Sequence, residues 1–235
     1  MKVPRVIYFA VTLAICSLTY CLVGGIFMFS DLEPIPYISY SSGRYPILPV
    51  FSGAMTVTGC LIALFCSLYV KHFLEATPNL FGSVRSTMLS VAVLCCISSF
   101  CLAALSLVSV YDNVVLHTVF AQIFFWTSLV SFTFITVMSC SQHKFLNPGV
   151  DIPKTTRFWL KYRIFLLLCL PLVSVPYLLL PAIVDPIKNV WVNSLAALLQ
   201  YFSVLIVILF LLSLSFELKD YEIRFLLVKK ERLTA

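Results

Sequence analysis

The chain has 235 residues, 61% hydrophobic and 11% charged, with a net charge of +6 and a mean hydropathy of +1.02. Soluble domains carry about 25% charged residues, so the composition excludes a soluble globular enzyme, and no stretch reads as a nucleic-acid-binding segment. What remains is an integral membrane protein.

Six apolar runs reach the roughly 20 residues a helix needs to cross a hydrocarbon core. They are Val6–Phe29, Val50–Val70, Thr87–Val110, Thr118–Cys140, Ile164–Val184 and Val192–Phe216. The expected fold is all-α: a polytopic membrane protein built as one compact bundle of six transmembrane helices, forming a single domain over residues 1–235. The first run follows Lys2 and Arg5, as a signal peptide would. It lacks a small-x-small cleavage site before the next polar stretch, so it reads as an uncleaved anchor.

Between the first two runs lies Asp31–Pro49, with Pro34, Pro36, Pro46 and Pro49, three tyrosines and Gly43. Proline fixes φ and removes a donor, which predicts a stiff non-helical loop, with a turn at Ser41-Ser42-Gly43. Lys and Arg are distributed unevenly about the six runs. Arg44 and Lys188 lie on the side of this loop, and the other fourteen lie opposite. By the positive-inside rule both termini are expected in the cytosol and Asp31–Pro49 in the lumen or outside. The basic inner face is first a topology signal. Its densest part, Lys154, Arg157, Lys161 and Arg163, is also a candidate site for anionic or phosphoinositide headgroups, each cation contributing about 1 kcal/mol near such a surface.

Within the runs, no ionisable residue falls at mid-span, which argues against an ion-coupled transporter. Gln122, Gln200 and Asn193 read as interhelical hydrogen-bonding groups, and Gln122 shares a face with His117 only loosely. The third run is rich in small residues, and Gly59 and Ala63 in the second have small-xxx-small spacing, so these backbones should approach closely. Pro171, Pro176 and Pro181 should kink the fifth. All nine cysteines lie in or at the ends of apolar runs and read as small packing residues, with Cys140 a palmitoylation candidate.

Chemistry-bearing patterns are sparse. There is no HExxH, no GxSxG and no metal-ligand spacing, so neither metal nor cofactor is expected. Asp112 and His117, five residues apart at one turn, are the sole acid–base candidates, against a plain reading as a satisfied polar loop. Glu222, Leu226 and Leu227 match an acidic dileucine sorting pattern. Opposite charges at helical spacing around them suggest a helix continuing past the membrane.

Three places together resemble one family. The first is Pro36-Tyr37-Ile38-Ser39 with Gly43, Tyr45-Pro46 and Phe51. The second is Tyr111-Asp112 with His117 and Ala121. The third is Gln200-Tyr201 with Ser213-Leu-Ser215-Phe216-Glu217. Their order across six spans resembles the family of the damage-regulated autophagy modulators (DRAM), the Frag and yeast Sfk proteins, and the N-terminal region of the yeast Cwh protein. Tyr40 stands where that family usually has Asp, and Gln200-Tyr201 where Glu-Trp is common. No Arg-rich signature of the branch that remodels GPI anchors follows the first loop, so the likeness is closer to the DRAM/Sfk branch. The resemblance implies a non-enzymatic endomembrane protein of lysosome or Golgi, or a plasma-membrane protein. It would affect autophagy, lysosomal function or membrane-lipid organisation, with membrane lipids or a membrane protein as partners. The alternatives are a GPI-anchor lipid remodelling or biosynthesis factor using Asp112 and His117, and a small transporter.

Overall fold

A computed structural model describes residues 3–29, 34–76, 82–141, 154–183, 190–216 and 218. The described residues form α1 (Val3–Phe29), α2 (Ile38–Ser42), α3 (Ile47–Ala76), α4 (Gly82–Leu107), α5 (Val114–Ser141), α6 (Lys154–Ile183) and α7 (Val190–Leu214). All except α2 are long and apolar enough to cross a membrane. This is the six-helix bundle expected from the apolar runs. The helices outrun those runs by up to ten residues, because a helix does not stop where the hydrocarbon does: α6 begins at Lys154, not at Ile164.

The six long helices form a ring in chain order. Each packs on the next, and α7 closes back onto α1. The joint between α3 and α4 is tight at Gly59, which has no side chain. A Cβ at Gly59 would stand 2.8 Å from the Ser99 carbonyl oxygen of α4, the close approach that the spacing of small residues predicts. Serine hydroxyls tie other neighbours: Ser98 to Ser128 at 2.6 Å across α4 and α5, and Ser174 to Ser203 at 3.1 Å across α6 and α7. The joints between α5 and α6 and between α7 and α1 are the sparse ones. The apolar window of α6 is 22% buried, against 39–44% for the other five, so α6 leans on the ring mainly through α7. Helix geometry carries through Pro171, Pro176 and Pro181.

The first loop departs from its expected form. Residues Ile38–Ser42 make one helical turn, and Pro49 sits in the opening turn of α3, where a missing N–H costs nothing. Pro36 precedes the short helix and Gly43 follows it, so no proline interrupts it. Gly43 has φ −78°, and its value is space: a Cβ there would meet Ser109 Oγ at 2.7 Å and the Tyr111 ring at 2.8 Å.

Candidate functional site

α2 folds inward and roofs one end of the ring. Gly25 of α1 provides the seat, since a Cβ there would overlap the Ser41 side chain and meet Pro36 at 2.8 Å. Helix α7 holds the roof from the other side. Ser194 Oγ accepts a hydrogen bond from the Ile35 N–H at 3.3 Å, and Gln200 Oε1 accepts one from the Ile38 N–H at 3.0 Å. Aromatic rings gather along the roof. Tyr40 lies between Tyr37 and Tyr111, with ring centroids 5.6 and 6.1 Å away, and the Arg44 guanidinium stands 5.1 Å from the Tyr111 centroid.

Beneath the roof is a cavity of about 480 Å³ to which all seven helices contribute, within the 300–1,000 Å³ range of ligand pockets. It follows α5 from Val114 to Phe125, roughly 16 Å at the helical rise. Its deeper wall is apolar, formed by residues such as Leu18, Met55, Phe124 and Val204. Its polar groups include Tyr37, Ser39, Ser42 and Ser106 with His117, and then Gln122, Tyr177, Asn193 and Gln200.

His117 is 6% exposed and links three segments. Its Nδ1 lies 2.7 Å from the Val108 carbonyl oxygen, just past the end of α4, and its Nε2 lies 2.9 Å from Ser39 Oγ of α2. A carbonyl only accepts, so Nδ1 carries the proton. In the neutral ring Nε2 therefore accepts from the Ser39 hydroxyl. The Asp112–His117 acid–base pair, one of two readings the sequence allows, is not formed: both ring nitrogens are engaged elsewhere, and Asp112 is exposed, its N–H bonded to the Ser109 carbonyl. The loop turns back so that the α4 end, not the intervening Asp, faces the imidazole. His117 and Gln122, loosely aligned on a helical wheel, both reach the same cavity.

The other sequence candidates fall in different places. Pro36, Tyr37, Ile38, Ser39, Gly43 and Pro46 all belong to the roof or its edge, and the Tyr45–Pro46 peptide is cis. Lys154, Arg157 and Lys161 form one exposed row on α6, each three or four residues from the next. Arg163 does not join that row, which corrects its place among the headgroup candidates. It is fully buried, with Nε 2.8 Å from Ser213 Oγ, Nη2 3.0 Å from the Ser213 carbonyl and Nη1 3.4 Å from Ser139 Oγ. Tyr69 of α3 joins through Ser139, and the Phe210 ring lies 5.9 Å from the guanidinium. A buried ionisable group therefore does lie within a helical span, ten residues into α6. Glu222, Leu226 and Leu227 lie outside the described residues.

Six lipid-length helices around an apolar cavity with a polar roof define an integral multi-pass membrane protein. The chain belongs to the family described as the Frag1/DRAM/Sfk1/Cwh43P N-terminal domain, whose model matches residues 3–221. No curated protein and no solved structure matches it.

Proposed function

We infer that this chain is an endomembrane protein that binds a membrane lipid inside the ring. It would act on membrane-lipid organisation, and through it on autophagy or lysosomal function, by holding the lipid and not by converting it. The cavity carries this reading: apolar walls under convergent hydrogen-bonding groups fit an amphipathic molecule. Positive-inside asymmetry would place its roof in the lumen. The exposed row of Lys154, Arg157 and Lys161 at the opposite end suits anionic headgroups of the cytosolic leaflet.

The test is lipid analysis of the protein purified from membranes. Wild type should retain lipid, and Ala121→Trp, which fills the cavity from α5, should lose most of it while folding normally. Equal retention would refute a ligand in the cavity. A tagged copy should reside in lysosomal membranes.

One observation favours a second reading, GPI-anchor lipid remodelling by acyl transfer. Ser39 Oγ, His117 Nε2 and the Val108 carbonyl repeat the order nucleophile, base, orienter. On that reading the tagged copy sits in the Golgi. His117→Ala and Ser39→Ala then both alter the surface display of GPI-anchored proteins at normal expression.

A further inference from the structure

We propose that the cavity selects an uncharged lipid with a hydrogen-bonding alcohol or amide head, and that this lipid enters sideways between α5 and α6. The proposal rests on the reading that the cavity holds lipid, and it names the class of lipid and its route.

The chemistry of the lining sets the class. Among the described residues the cavity wall contains no Lys, Arg, Asp or Glu. Its polar groups are hydroxyls, amides and one imidazole. A phosphate buried here would face no cation, and a buried unpaired charge is far costlier than a buried hydroxyl or amide that finds a partner. The cations of α6 cannot serve: Arg163 is engaged with Ser139 and Ser213, and Lys154, Arg157 and Lys161 are exposed on the outside of the helix.

Gln122 supplies the recognition group. It lines the cavity five residues, about one and a half turns, below His117, and its amide makes no hydrogen bond among the described residues. Gln200, on the facing helix, is already committed through Oε1 to the Ile38 N–H. A free primary amide in a membrane-embedded cavity both donates and accepts, and such a group costs free energy until it is matched. An alcohol or amide headgroup matches both functions at once. The apolar wall from Leu18 to Val204 then takes the hydrocarbon.

The route follows from the exposure of α6 and from a cleft at its joint with α5. α5 and α6 pack sparsely, and a cleft of about 30 Å³ opens between them beside Trp126, Leu129, Pro171 and Val175. Phe125 lines both this cleft and the main cavity. Its ring faces Tyr177 of α6 at 6.2 Å, so the pair stands where the cleft meets the cavity. Aromatic side chains can turn aside without breaking a helix, which lets a chain pass from the bilayer while the roof stays closed.

The experiment uses the full chain in phosphatidylcholine nanodiscs with photoactivatable, clickable probes. Monoacylglycerol and sterol probes carry alcohol heads, a ceramide probe adds an amide, and a phosphoinositide probe is anionic. The expected result is labelling of α5 and α7 peptides by at least one uncharged probe, competed by its unlabelled form. Gln122→Leu keeps the volume and should lower that labelling about tenfold, the loss of one or two buried hydrogen bonds, with unchanged thermal unfolding. Undiminished labelling of Gln122→Leu would overturn the proposal, as would equal phosphoinositide labelling of the same peptides. Those two results leave lipid binding itself standing, whereas no labelling by any probe removes that reading too. Val175→Trp plugs the cleft and should slow labelling without changing its final level, and equal rates would remove the sideways route.

Discussion

Lys161 and Arg163 stand two residues apart on α6 and face opposite ways. Two residues turn a helix by about 200°, so the row Lys154, Arg157 and Lys161 leaves Arg163 pointing at the ring. That spacing was present in the sequence, but counting loop cations by number instead of by face hid it. The burial predicts unequal mutant effects. Arg163→Ala should lower stability by about 2–3 kcal/mol, as expected for hydrogen bonds to a buried charged group. Lys161→Ala, on the exposed row, should fall within about 0.5 kcal/mol. Thermal unfolding in one detergent compares the two, and equal losses would contradict the buried bridge to Ser139 and Ser213. The Ser39–His117 contact could not be read in advance. Its partners are 78 positions apart, and only the fold decides that Ser39, and not the nearby Asp112, meets the imidazole.

Among the elements, α2 is the one that sequence rules misjudged. Four prolines argued for a non-helical loop, yet they flank the short helix instead of entering it. The loop's importance was legible, but its shape was not, because the shape depends on Gly25 of α1 and Gln200 of α7. The same contact makes a prediction. Gly25→Val should cost about 1–3 kcal/mol by overpacking and lift the roof, so lipid retained in the cavity should fall even where expression is normal. Retention equal to wild type would show that α2 does not close the cavity. The α3–α4 joint, by contrast, was visible as Gly59 facing a run of small residues. Gly59→Leu drives a side chain at the Ser99 carbonyl and should lower the unfolding temperature more than Gly53→Leu, whose Cβ meets nothing within 4 Å.

For the whole molecule, six spans were readable because lipid demands long apolar helices, a requirement stated by composition alone. The order of neighbours was not, since ring closure is a contact between the first and last spans. Lys/Arg asymmetry sets the direction of insertion. A tag inserted at Ser42 should resist cytosolic protease in sealed vesicles, and one placed after Ala235 should be cut. The reverse pattern would invert the topology and detach the lumenal lipid reading from it.

Because Ile35 and Ile38 take their partners from Ser194 and Gln200, about 160 positions downstream, the earliest hairpin to leave the ribosome is not fully fastened until the last helix is made. The roof is thus a record of completed synthesis. A chain stalled before α7 would present the proline-rich segment unfastened, a difference that quality-control machinery on that side of the membrane could read.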